Sequence, residues 1–314
     1  MILVTGATGF VGRRVVERLI AGGQSVRALM RNESRSSLLP SGVDVAKGDV
    51  LDIDSLNQAI TGVDSIVHLA AVIREIGSLT FQRVNYEGTK NILEAANAAG
   101  VQRIVCASTV GATSDPAVPY LYSRWMAEEE VSRSGLAQTI IRFSIGFGEG
   151  DEFFNQLAAL VKLFPLVPVV GDGKAVFQPI AVEDVARCMV ESMKRDDLVG
   201  KTIDIGGPQY FTYDEMMDLI AETLDVKIAK AHVPVAFMAP AATVLEALVP
   251  HPPVTREQLK MLKLNNTADL DSVEKHFDFA PRPVRGNIDY IRQIGLGDAL
   301  KMNLGFMPEH IRDR

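Results

Sequence analysis

Three features of the sequence predict an α/β protein built on a doubly wound parallel sheet. Short β-branched runs alternate with helical patterns through the first 145 residues. The strands are apolar nearly throughout, and a glycine-rich turn separates the first strand from the first helix. Alternation of strand and helix implies parallel strands joined by right-handed crossovers. Strands without polar alternation imply a sheet covered on both faces.

ILVT (2–5) reads as a buried strand and Phe10–Ala21 as a helix, with Val11, Val15, Leu19 and Ile20 on one side. SVRALM (25–30) and VDVAKGD (43–49) are the next strands, followed by a helix over Ile53–Ile60. DSIVHLA (64–70) is a fourth strand. A long helix over Thr80–Ala98 stops at Gly100. QRIVCAS (102–108), a helix over Tyr120–Arg133 and QTIIRFS (138–144) complete six strands.

After Ile145 proline and glycine become frequent. FPLVPVVGDGK (164–174) reads as a loop and hairpin, Val182–Met193 as a helix and TIDIGG (202–207) as a strand. Thr212–Leu224 is a helix opened by Thr212 with Glu215 three residues on, the spacing of a capping box. The division expected is a domain over 1–145, to which 178–207 returns, and a smaller, mainly helical region over 146–177 and 208–314.

Charge and cysteine usage narrow the function. Lys and Arg number 32 against 39 Asp and Glu, a net charge of −7, so nucleic acid is not the expected partner. Cys106 and Cys188 sit in apolar runs and read as buried free thiols, which fits a reducing, cytoplasmic setting. The histidines His68, His232, His251, His276 and His310 show no close metal-ligand spacing, so no metal is expected. The opening MILVTG enters a strand directly, and no signal segment is expected. Val233–Pro250 is apolar but broken by Pro234 and Pro240 and carries Glu246. It reads as a buried or surface helix, with peripheral membrane contact open and a bilayer span disfavoured.

The sharpest motif is Thr5-Gly6-Ala7-Thr8-Gly9-Phe10-Val11-Gly12, between the first strand and first helix. In that context Gly6 makes the tight turn, Gly9 lets the backbone approach a pyrophosphate, and Gly12 lets the helix pack on the sheet. The helix N-terminus adds free N–H groups and a partial positive charge. The whole is a Rossmann-like, dinucleotide-binding arrangement.

TGATGFVG at this position resembles the extended and atypical short-chain dehydrogenase/reductases. So do GDVLD (48–52), VHLAA (67–71), VNYEGTKNIL (84–93), a Tyr-x-x-x-basic helix and QPIAVEDVA (178–186), together spanning about 1–210. Three segments, YLYSRWMAEEEV, FQPIAVEDVA and VTREQLKMLKL (254–264), resemble more closely the relatives of the NAD(P)H-binding accessory subunit of respiratory complex I. The resemblance implies further cofactor positions: Thr8, Phe10 and Val11 in the turn, Asp49 and Val50 at the adenine, and Ala70 and Ala71 beside the ribose. Asn85 resembles the helix asparagine near the active site. Asp49 is alternatively a turn residue.

The end of the second strand bears on nucleotide choice. Met30 stands where an NAD-type member has an acid for the ribose 2′-hydroxyl, and Arg31 follows. Arg31 is either a solvated charge or, with Arg13 or Arg35 assisting, a ligand of a 2′-phosphate. The second reading gives NADP(H) preference over NAD(H).

By the same resemblance Tyr120 is the acid–base tyrosine, with Thr109 and neighbouring Ser108 as orienting hydroxyls. Position 124 is Arg where the family has Lys. The i,i+4 spacing puts Tyr120 and Arg124 on one helix face. A free phenol has a pKa of about 10, so poising it at neutral pH takes about 4 kcal/mol of stabilisation of its anion. Arg124 keeps the positive charge and the reach to a ribose, but it does not relay a proton. Tyr122, about 200° round the helix, is not expected on that face. Gly171-Asp172-Gly173-Lys174 reads as a turn, Glu128-Glu129-Glu130 as a solvated face, and Phe153, Phe154, Phe164 and Phe177 as core of the second region.

The leading function is an NADP(H)-dependent reductase acting by hydride transfer at a carbon–oxygen centre. Its rivals are a non-catalytic NADPH-binding accessory or assembly protein of a respiratory-type complex, placed at the inner face of a membrane, and a sugar epimerase or dehydratase. The Lys-to-Arg change favours the accessory protein, while Tyr120 with its hydroxyls favours an enzyme.

Overall fold

The computed structural model describes residues 1–248, 256–261 and 266–313. His251 and the outer parts of Val233–Pro250 and of 254–264 lie outside the described residues. The chain runs through β1 (Ile2–Thr5), α1 (Phe10–Ala21), β2 (Val26–Met30), β3 (Asp44–Lys47), α2 (Ile53–Ile60), β4 (Ser65–His68), α3 (Gly88–Ala99), β5 (Arg103–Thr109), α4 (Pro119–Arg133) and β6 (Ala137–Phe143). There follow β7 (Gly146–Phe147), α5 (Phe153–Leu163), β8 (Leu166–Val170), β9 (Val176–Phe177), β10 (Ile180–Ala181), α6 (Val182–Ser192), β11 (Thr202–Ile205) and β12 (Phe211–Thr212). The last elements are α7 (Tyr213–Leu224), β13 (Ala229–Val233), α8 (Val235–Leu248), α9 (Arg256–Met261), α10 (Ser272–Phe277), α11 (Leu296–Asn303) and α12 (Glu309–Arg312).

Two compact units emerge. The first comprises Met1–Phe143, Val182–Ile205 and Lys275–Asp278. Its seven strands lie in the order β11-β6-β5-β4-β1-β2-β3, and every neighbouring pair is parallel. The order reverses between β1 and β4, where a doubly wound sheet opens a crevice at its carboxyl edge. Leu3, Ile66, Ile104 and Ile140, from four adjacent strands, are fully buried in its core.

Local chemistry sets the helix ends. Asp52 caps α2 by accepting from Asp54 and Ser55 N–H, and α3 stops at Gly100, which takes a left-handed φ of 73°. The helix expected from Thr80 is not continuous. Phe81–Glu87 winds as a π-helical turn, with Thr80 accepting from Arg83 N–H, before α3 begins. Within the wider turn the Asn85 amide is pinned by the Val72 backbone, a tertiary bond that periodicity does not register.

The second unit comprises Ser144–Ala181, Gly206–Glu274 and Phe279–Arg314. The expected hairpin over 164–174 is instead a single strand, β8, paired in parallel with distant β13. Gly171 and Gly173 turn the chain with φ of 71° and 74°, and β9 then pairs with β12. Thr212 and Glu215 form the capping box of α7. Phe154 and Phe177 are core, and Phe153 packs against it. Phe164, expected there too, caps the end of α5 and is exposed. Buried Asp151 accepts from Phe154 N–H at 2.6 Å, Gly148 N–H at 3.3 Å and the Tyr290 hydroxyl, tying the loop before α5 to the C-terminal segment. Among the described residues no helix is long and apolar enough to cross a membrane.

Candidate functional site

The turn after β1 is shaped for close approach. Gly6 has φ of 68°, and a Cβ there would lie 2.9 Å from the Ala70 nitrogen. A Cβ on Gly12 would lie 2.1 Å from the Gly6 carbonyl oxygen. Gly9 N–H bonds back to that oxygen at 2.9 Å, and Gly9 itself is exposed. No side chain caps α1 and its first turn carries no acid. Its leading N–H groups and positive end are therefore open to an anion. Thr8, Phe10 and Val11 are half-buried around the turn. The exposed Gly9, the uncapped helix and the closed Gly6–Ala70 contact fit a dinucleotide pyrophosphate.

The neighbouring strand ends supply the rest of the edge. Met30 is buried at the end of β2, while Arg31 is exposed and has no partner among the described residues. Arg13 is buried. Asp49 closes its own turn, with Oδ1 accepting Leu51 N–H at 3.0 Å. Val50 is buried against Gly88, where a Cβ would stand 2.8 Å from its Cγ2. Ala70 is half-buried and Ala71 exposed. Asn85 is buried and spends its amide inside the protein, on Val72 and on Ser123 Oγ at 3.0 Å. It braces the loop after β4 against α4.

One face of α4 meets the end of β5. The Tyr120 hydroxyl is hydrogen-bonded to the Thr109 side chain. Burial pushes its pKa above the ordinary value, and the Arg124 charge and the Thr109 bond pull it back only in part. The depressed phenol pKa expected of an acid–base tyrosine is thus not what these side chains produce alone. Arg124 is buried and donates to the Ala107 carbonyl. It is built into the end of β5, where free reach to a ribose was expected. Tyr120 packs on Phe81, with ring centres 5.5 Å apart, while Tyr122 stacks on Trp125.

Ser108, expected as a second orienting hydroxyl, turns its side chain inward. It is buried and donates to Glu128, which also takes Arg142 Nε at 2.9 Å and Nη2 at 2.5 Å. Glu128, expected on a solvated face, is buried because that arginine and serine meet its charge. Glu129 pairs outside with Arg133, and Glu130 accepts from the Tyr86 hydroxyl. The spacing of Glu128, four residues beyond Arg124 and eight beyond Tyr120, was the signal for its place on this face. Cys106 and Cys188 are buried, and burial pushes the Cys106 thiol up to about 11.

His68 is the other residue whose place spacing alone does not announce. It ends β4 in register with Thr5 of β1 and is buried. Its Nδ1 lies 2.8 Å from Thr5 Oγ1 and its Nε2 lies 3.0 Å from Thr89 Oγ1. Burial, aided by the Arg124 charge, holds its pKa down at about 3. A histidine directly after the apolar pair Ile66-Val67 was the available clue.

Known proteins are similar to this chain in sequence and fold. The chain is 30% identical over 229 residues to NADH dehydrogenase (ubiquinone) 1 alpha subcomplex subunit 9 of Arabidopsis thaliana, covering 70% of this chain and 57% of that protein. It is 27% identical over 246 residues to the photosystem II assembly factor Ycf39 of Synechocystis, covering 76% and 72%. The fold matches the NADPH-dependent quinone oxidoreductase QOR2 of Escherichia coli with a TM-score of 0.75. That match has 20% identity and covers 93% of this chain and 99% of the other. The model of a family described as NAD(P)H-binding matches residues 6–196. The chain is a member of this NAD(P)H-binding family.

Proposed function

We propose that the chain binds NADPH at the carboxyl edge of β1 and β4 and reduces a carbon–oxygen centre. The pairing of Tyr120 with Thr109 beside the Arg124 guanidinium carries the reading. A bound nicotinamide supplies the hydride. Tyr120, its pKa raised, is protonated at neutral pH and gives its proton to the substrate oxygen, while Thr109 orients that oxygen. Arg124 stabilises the phenolate left behind without giving up a proton of its own. Exposed Arg31, without a partner among the described residues, supports the phosphorylated dinucleotide over the plain one.

A second reading has its own support. Arg124 is committed to the Ala107 carbonyl, and two relatives are named as a complex subunit and an assembly factor. On this reading the chain holds the nucleotide without turning it over. NADPH oxidation across a carbonyl panel, with release of bound NADPH into excess NADP⁺, separates the readings. Oxidation that Tyr120→Phe abolishes supports the reductase. Slow release without turnover, or turnover gained on Arg124→Lys, supports the holding protein.

A further inference from the structure

We infer that His68 positions the nucleotide cradle as a neutral Nε2–H tautomer, oriented by a one-way relay of hydroxyl groups running from α3 to the turn after β1. The inference rests on reading that turn as the nucleotide site. A count of donors and acceptors fixes the direction of every bond.

Thr89 Oγ1 lies 2.6 Å from the Asn85 carbonyl, which can only accept, so the Thr89 proton is spent there. His68 Nε2, 3.0 Å from the same oxygen, must then donate. Nδ1 is left with its lone pair and accepts from Thr5 Oγ1 at 2.8 Å. The Thr5 oxygen, its proton given to the ring, accepts Ala70 N–H at 3.2 Å. It also takes Leu69 N–H at 3.1 Å, a donor shared with the Thr5 carbonyl at 3.2 Å. Each proton has one destination: turning the Thr89 hydroxyl to Nε2 would take the donor from the Asn85 carbonyl and make Nδ1–H a third donor to the Thr5 oxygen, which has two lone pairs.

This relay fixes the exit of β4 over the glycine turn. Ala70 nitrogen stands 2.9 Å from the point a Gly6 Cβ would occupy, and the acceptor holding it there is Thr5 Oγ1. Removing the Thr89 hydroxyl strands the proton on Nε2, and a buried donor without an acceptor is costly. The ring's alternative is the Nδ1–H tautomer. That form needs a lone pair of Thr5 Oγ1, both of which Leu69 and Ala70 N–H now occupy, so the two backbone donors and the ring compete for one oxygen. A hydroxyl on α3 thereby governs the shape of the cradle through His68.

The test compares wild type, Thr89→Val and Thr89→Ser. The tautomer of His68 is read from its ring ¹⁵N shifts and NADPH affinity by titration. The expected wild-type spectrum is a neutral Nε2–H ring across about pH 5 to 8. Thr89→Val shifts that signature and weakens NADPH binding about tenfold, and Thr89→Ser restores both. A protonated or Nδ1–H ring in the wild type overturns the relay and needs no variant to do so. A shifted tautomer in Thr89→Val with unchanged NADPH affinity overturns the link to the cradle. Absence of NADPH binding by the wild type sinks the nucleotide reading instead, while the spectrum still judges the relay.

Discussion

The Arg124 guanidinium donates to the carbonyl of Ala107. The bond joins α4 to β5 at the residue before Ser108, and Glu128 grips Ser108 from the next turn of the same helix face. Tyr120, one turn the other way, meets Thr109. Three consecutive residues of β5 are thus held by three successive turns of α4, and the proposed proton donor is set by the same register.

Glu128→Gln is expected to destabilise the protein by about 2–4 kcal/mol, since it takes from half-buried Arg142 its nearer carboxylate and leaves Asp204 at 3.7 Å. Ser108→Ala removes one bond to that carboxylate and is expected to cost about 1.5 kcal/mol. Urea unfolding of both single variants and the double variant reads the coupling. Additive losses would remove the network from the account.

Arg31→Ala is expected to weaken NADPH binding by about ten- to a hundredfold, the worth of a charge-assisted contact to phosphate. NADH affinity should barely move. Calorimetric titration of both nucleotides decides it, and an unchanged NADPH/NADH ratio would show Arg31 to be a solvated charge.

Gly12→Ala and Gly9→Ala should fail in different ways. An alanine Cβ at 12 collides with the Gly6 carbonyl oxygen at 2.1 Å and is expected to cost about 3 kcal/mol of stability. At 9 the nearest contact is 3.1 Å, so the fold should tolerate the methyl while NADPH binding falls. Thermal melts with nucleotide titration separate the two. Equal loss of stability at both positions would contradict the geometry.

Two buried groups give stability opposite slopes in pH. Asp151 has its native pKa raised from 3.8 to about 7, so between those values the native state holds a proton that the unfolded chain has lost. Its contribution therefore declines as pH rises through that window. His68, with a native pKa of about 3 against 6.5 unfolded, does the reverse. The unfolded chain takes up the proton first, and stability declines as pH falls from 6.5 towards 3. Urea midpoints across pH should lose the first slope in Asp151→Asn and the second in His68→Gln. Parallel curves for wild type and either variant would refute that assignment.

The boundaries of α1 and α2 were readable because their apolar spacing and flanking residues are local. The glycine turn was readable because its steric demands leave few other residues. The partnership of β8 with β13 was not, since parallel pairing joins segments with no turn between them to announce it. Glu128 looked solvated because its partner Arg142 arrives from another strand. The raised pKa of Tyr120 comes from burial, which a spacing motif does not encode.

The first unit is assembled from three separate stretches of chain, and this shapes how it can be made. During synthesis β6 emerges well before β11, its neighbour in the finished sheet, with Ser144–Ala181 of the other unit produced between them. Until β11 arrives, the Ile140–Phe143 edge of β6 presents unsatisfied backbone groups beside Ile140 and Ile141, both buried in the finished fold. A fragment cut after Phe143 keeps that edge open permanently and would be adhesive. Completion of the nucleotide-binding sheet waits for sequence that lies beyond the first part of its neighbour.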